Sequence, residues 1–86
     1  MYSFVFSKKA ADQWNELEDV TRKFIQQKLV LLKDEALFRK SVKSVKALAP
    51  ATHRIRCGNY RLLLECDFSS GKHLILRLGH RRDIYK

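Results

Sequence analysis

The stretch HRIRCGNYRLLLECDF, residues 53–68, decides the fold. Charged and apolar positions alternate through HRIRC, and a second run rich in Leu and aromatic residues begins at Tyr60. Gly58-Asn59 stands between them, a pair suited to the positive φ of a two-residue hairpin turn. The stretch therefore predicts two antiparallel strands in a defined register, with Cys57 opposite Tyr60, Arg56 opposite Arg61 and Arg54 opposite Leu63. Directly opposed residues share a face of the sheet, and so do residues two apart on one strand. Arg54, Arg56 and Arg61 thus converge. Like charges aligned across a ladder are destabilising, and an anion between them removes the conflict. Phosphate fits, because guanidinium donates two parallel hydrogen bonds to its oxygens. The alternative is three long side chains splayed into water, one of them neutralised by Glu65. The same register sets residue 66 opposite residue 51, roughly 20 Å along the strands from Cys57, so Cys57 and Cys66 are read as reduced thiols rather than a disulfide.

Working outward, HLILRL after Ser69-Ser70-Gly71 reads as a third strand, completing an antiparallel meander. At the other end YSFVF, residues 2–6, is a short strand. Ser7 is placed to cap a helix carrying Ala10, Trp14 and Leu17 on one side. Glu18 and Asp19 mark the start of a second helix, since carboxylates favour the positive end of the helix dipole. Its apolar stripe is Val20, Phe24, Ile25, Leu29 and Leu32. Residues 37–49 hold Phe38, Val42, Val45 and Leu48 at helical spacing, but Ser41, Ser44 and Pro50 interrupt it, and they are read as a helix end and connector. The expected fold is α+β: an N-terminal strand, an α-helical hairpin, then a three-stranded meander, forming one sheet with the helices on one face.

The 86 residues make a single domain, 1–86, and at 45% hydrophobic the chain can bury a core. Its 18 Lys and Arg against 9 Asp and Glu give a net charge of +9. Charges cancel over residues 1–36, so the excess lies in residues 37–86, where twelve bases face Glu65, Asp67 and Asp83. Such asymmetry points to a polyanion, nucleic acid ahead of membrane. No apolar run is long enough to span a bilayer and no cleavable leader is apparent, so a cytoplasmic location is expected. HExxH, GxxxxGK[ST] and GxSxG are absent, which removes support for metalloprotease, P-loop and α/β-hydrolase chemistry. The tail GHRRDIYK brings His80, Arg81, Arg82 and Tyr85 next to the last strand. These groups could complete a site for phosphodiester chemistry, where catalysis is mostly positioning and charge stabilisation.

The segments SVKALAPATHRIRCGNYRLLLE and LRLGHRRDIYK, in this element order, resemble the RelE/ParE superfamily of toxins from toxin-antitoxin pairs. RIRCGNYR followed about twenty residues later by GHRRDIY is the most specific part. The resemblance implies a metal-independent endoribonuclease of the RelE branch, without cofactor, that cleaves mRNA in the ribosomal decoding site. It implies attack by a ribose 2′-hydroxyl, leaving a 2′,3′-cyclic phosphate and a 5′-hydroxyl. It places Arg54 and Arg56 on the RNA backbone, Arg61 beside the scissile phosphate, Arg81 at the leaving-group side and Tyr85 against the nucleotide. Arg82, Lys43 and Lys46 are read as further RNA-binding cations, with no metal site. Arg54 stands where several relatives have lysine, and arginine is not deprotonated in proteins, so His80 and Tyr85 are the candidates for proton transfer. The implied partners are a small acidic antitoxin, the 70S ribosome and mRNA, with no membrane. The other readings are a ParE-like DNA gyrase inhibitor and a non-catalytic basic nucleic-acid-binding module.

Overall fold

In the computed structural model, which describes residues 1–85, the elements run β1 (Ser3–Phe6), α1 (Lys8–Asn15), α2 (Asp19–Leu31), α3 (Glu35–Ser41), β2 (Lys43–Ser44), β3 (His53–Cys57), β4 (Tyr60–Glu65) and β5 (Lys72–His80). The strands form one sheet in the order β1-β5-β4-β3-β2. The β3–β4–β5 meander is antiparallel, and β1 pairs parallel with β5, Ser3 opposite Lys72 through Phe6 opposite Ile75. The α+β architecture stands, with two corrections. Residues 37–49 are more than a connector: most of α3 and the edge strand β2 fall there, so the sheet has five strands. The signal for α3 is Asp34, whose Oδ1 accepts from the Leu37 N–H at 3.0 Å, an N-cap that satisfies a backbone donor the helix leaves open.

Ser7 caps α1 as its position requires, accepting from the Ala10 N–H at 3.1 Å and donating to the Leu76 carbonyl at 2.8 Å. Gln13, nearly two turns on, accepts from the Leu78 N–H at 2.8 Å. Beyond Ile75 strand β5 outlasts β1, and these α1 side chains take over backbone groups that a neighbouring strand would otherwise pair. The α1–α2 connection is short, and Arg22 reaches back to the Asn15 carbonyl at 3.3 Å while pairing with Asp19.

The core lies between the helices and one sheet face. Ala10, Ile25, Leu29, Leu32 and Phe38 from the helices meet Ile55, Cys57, Leu62, Leu64, Ile75 and Leu78 from the strands. Of the α2 stripe, Ile25, Leu29 and Leu32 are buried, whereas Val20 and Phe24 are mostly exposed. Phe24 sits about 100° and Val20 about 140° round the helix from the buried line, and Phe24 instead leans on the hairpin, where a Cβ at Gly58 would meet its ring at 3.3 Å. At the far end of the core His73 is fully buried and stacks on Phe38, centroids 4.6 Å apart at 6°, with Tyr2 edge-on.

A second, smaller cluster occupies the helix-free face. Ala51, Leu63 and Ile84 are buried there, with Val45, Leu48 and Leu76 packed against them. No helix among the described residues is long and apolar enough to cross a membrane.

Candidate nucleic-acid interface

The hairpin register is the one read from Gly58-Asn59: Cys57 opposite Tyr60, Arg56 opposite Arg61, Arg54 opposite Leu63. Gly58 takes φ +58°, a conformation that glycine reaches without the Cβ clash of other residues. Because Ile55, Cys57, Leu62 and Leu64 turn into the core, strand alternation puts Arg54, Arg56 and Arg61 on the face that carries no helix. Lys43 joins them, since it is paired with Arg54 across the β2–β3 ladder. One row across the sheet therefore reads Lys43, Arg54, Leu63, Arg77, and the next reads Arg56, Arg61, Gly79.

Within this field the arginines differ. Arg56 is exposed and Arg54 half-buried, whereas Arg61 is only 8% exposed. Its Nη1 donates to the Gly58 carbonyl at 2.7 Å and to the Tyr60 carbonyl at 3.0 Å. The turn thus holds this guanidinium in place. Its charge is also felt by Cys57, whose thiol is pushed up by burial and drawn part of the way back by Lys28 and Arg61. Burial pushes the other thiol, Cys66, up to about 11. Neither is a nucleophile at neutral pH, because the thiolate is the reactive form.

Backbone contacts organise the tail. The Arg81 N–H donates to the Asn59 carbonyl at 2.7 Å, tying the segment to the β3–β4 turn, and the Asp83 and Ile84 N–H groups donate to the His80 carbonyl at 2.8 and 3.0 Å. Ile84 is buried against Leu63 and Ala51, and a Cβ on Gly79 would lie 3.7 Å from its Cδ1. Gly79, opposite Arg61, thereby leaves a gap on the helix-free face that Ile84 fills. Arg81, Arg82 and Tyr85 remain exposed.

His80 is placed differently from the arginines. It pairs with Tyr60, which puts it on the helix-bearing side, and its ring meets that of Tyr60 at 5.6 Å and 74°. Its Nδ1 accepts from the Arg82 N–H at 3.2 Å, so in the neutral ring the proton is on Nε2. Lys46 is exposed on the loop after β2, outside the strand rows. Among the described residues no group of three His, Cys, Asp or Glu side chains is arranged to hold a metal ion.

Two residues of this face escaped the sequence reading. Arg77 reaches it because β5 carries a bulge: Leu63 pairs with Arg77 but Leu64 with Ile75, so Leu76 is an extra residue. A regular ladder extended from the Ser69-Ser70-Gly71 turn would set Leu76, not Arg77, opposite Leu63, so without the bulge Arg77 would face the core. Ile84 had no local signal either, because nothing in its pattern says where the tail docks.

No protein-family model matches the sequence, and no curated protein sequence does. Solved structures match over nearly the whole chain. The archaeal RelE–RelB complex from Pyrococcus horikoshii aligns at 20% identity and a TM-score of 0.74, covering 95% of this chain and 97% of that one. The isolated Escherichia coli RelE toxin aligns at 18% identity and 0.71, covering 99% and 92%. The toxin-antitoxin complex RelBE2 from Mycobacterium tuberculosis aligns at 26% identity and 0.67, covering 93% and 98%. The chain has the RelE fold.

Proposed function

We propose that this chain is the toxin of a toxin-antitoxin pair, a ribosome-dependent endoribonuclease that cuts translated mRNA by attack of a ribose 2′-hydroxyl on the adjacent phosphate. The observation that carries the reading is the helix-free face, where Lys43, Arg54, Arg56 and Arg61 lie in adjoining rows and the Arg81–Tyr85 tail is tethered to the hairpin turn beside them. Solved relatives of the same fold are described as toxins, several in complex with an antitoxin, and here too the partner is a small acidic antitoxin that covers the cationic face. Complementary charge then speeds their association.

In the proposed reaction the half-buried Arg54 and the exposed Arg56 hold RNA phosphates, with Lys43, Lys46 and Arg82 adding to the field. Arg61, held in place by two carbonyls, needs no reorganisation to meet the charge that develops on the pentavalent phosphorus. Preorganised donors of this kind are the largest single source of rate in such sites. Arg81 sits at the 5′-oxygen that leaves. Since an arginine does not give up its proton, the proton of the 2′-hydroxyl passes to the departing 5′-oxygen by way of Tyr85, which lies in the exposed tail; His80, turned to the helix-bearing side against Tyr60, is off the face that takes RNA. No cofactor or metal enters the scheme.

Expression of the chain alone tests this. Growth arrest with primer-extension stops at a fixed position within translated codons is the expected result. Intact messages accompanied by gyrase-linked DNA breaks would support the gyrase-inhibitor reading instead, and salt-sensitive RNA binding without scission would leave a binding module.

A further inference from the structure

We infer that the pocket between the 47–51 loop and the β4–β5 ladder is a guanine-binding subsite, with Arg77 reading the base. The inference rests on the proposal that the helix-free face takes RNA, and it adds a base contact to a face otherwise described through phosphate. The pocket encloses about 310 Å³, at the small end of the range for ligand sites. Leu48, Pro50, Leu63 and Leu76 supply apolar walls, and Arg77 is the one charged side chain in its lining.

Arg77 is in an unusual state for an arginine. Its Nε is buried and has no hydrogen-bond partner among the described residues. A buried donor without an acceptor is unfavourable, and because Nε makes no hydrogen bond, the guanidinium gives up none at that atom when it turns toward acceptors in the pocket. The position of the pocket narrows the ligand. Arg77 lies in the same cross-sheet row as Arg54 and Lys43, separated from Arg54 by the single residue Leu63, or about 10 Å at two strand spacings. A group bound against Arg77 thus has cations beside it for a phosphate on the same strand. Apolar walls suit the face of a base, and sequence-specific RNA recognition commonly takes unstacked bases and hydrogen-bonds their edges.

Guanidinium offers donors and no acceptor, which chooses among the bases. Guanine presents two adjacent acceptors, O6 and N7, whereas adenine sets an N6 donor beside N7 and would face donor with donor. Pyrimidines offer less surface to the walls. The bulge at Leu76 makes the site possible, because it brings an apolar wall and Arg77 to the same side of the strand.

The test is an NMR titration of the full chain with guanosine 5′-monophosphate, and with uridine 5′-monophosphate for comparison, following backbone amides and arginine Nε–H groups. The expected result is perturbation of residues 47–51 and Arg77 Nε–H by the guanine nucleotide and not by the uracil one, lost in Arg77→Gln with its unfolding midpoint unchanged. In cleavage, Arg77→Gln should raise KM about tenfold for messages that place guanine, rather than uracil, in the pocket and leave kcat in place. Perturbation confined to Arg54, Arg56 and Arg61, or equal perturbation by both nucleotides, overturns the subsite while leaving the phosphate reading intact. Guanine-selective perturbation at residues 47–51 without cleavage of translated mRNA supports the subsite and overturns the nuclease reading.

Discussion

Arg61 and His73 show how much depends on what surrounds a single side chain. Arg61 is nearly buried and its guanidinium is held by the carbonyls of Gly58 and Tyr60, so it is positioned before substrate arrives. Replacing it by alanine should lower cleavage by ~10² to 10³, while ribosome affinity, spread over many cations, falls far less. Single-turnover cleavage and ribosome pelleting on the same preparation check this; equal losses in both would remove Arg61 from the chemical step. His73 is buried with Nδ1 accepting from the Asp67 N–H at 3.2 Å, and its Nε2 has no partner among the described residues. Burial lowers its pKa from 6.5, Asp67 opposes that shift, and His53 and Arg39 add to it. The unfolded chain therefore binds this proton more readily than the folded one. The stability contributed by neutral His73 is complete above about pH 6.5 and is lost as pH falls from there through the lower folded value. Urea midpoints should drop between pH 7 and pH 5, and His73→Asn should flatten that dependence, leaving the part due to His53, which burial also lowers. The same slope in both proteins would show that His73 does not control it.

At the scale of elements, the tail after β5 is held by Ile84 rather than left loose. Its burial against Leu63 and Ala51, above Gly79, keeps Arg81 and Tyr85 on the arginine-bearing side of the sheet. Truncating a buried Ile to Ala costs roughly 2–5 kcal/mol in a closed core, and in this small surface cluster the low end applies. Ile84→Ala should leave the helix-side core folded, accelerate hydrogen exchange of residues 79–85 and reduce cleavage at least tenfold. Unchanged exchange with full activity would mean that docking of the tail is irrelevant to function. Tail and hairpin turn share the bond from Arg81 N–H to the Asn59 carbonyl, so the turn positions groups on both. The turn itself was legible, because Gly-Asn between alternating runs is a local signal. Helix α3 was not, because Ser41 and Ser44 hid a helix that packs through one fully buried residue, Phe38.

For the whole molecule, the charge asymmetry between the two halves of the chain becomes a geometric one. β1, α1 and α2 carry the balanced half, and most of α3, the other strands and the tail carry the basic half, much of it on the face left free of helices. Binding of single-stranded RNA should therefore weaken steeply with salt, and each lost phosphate contact should flatten the log–log slope by about 0.7. Arg56→Ala, with its exposed side chain, should show that change in a fluorescence-anisotropy salt titration; an unaltered slope would place RNA elsewhere. By itself the sequence determined the α+β class, the succession of β1, α1, α2 and the meander, the hairpin register and the convergence of Arg54, Arg56 and Arg61. These follow from a period of two and a two-residue turn, interactions that act over a few residues. Only the tertiary structure decided that Val20 and Phe24 stay outside the core, that His80 turns to the helix-bearing side, that the β5 bulge lines Arg77 up with Arg54, and that Ile84 pins the tail. Each of these depends on how segments far apart in the chain pack against one another, and local periodicity carries no record of that packing.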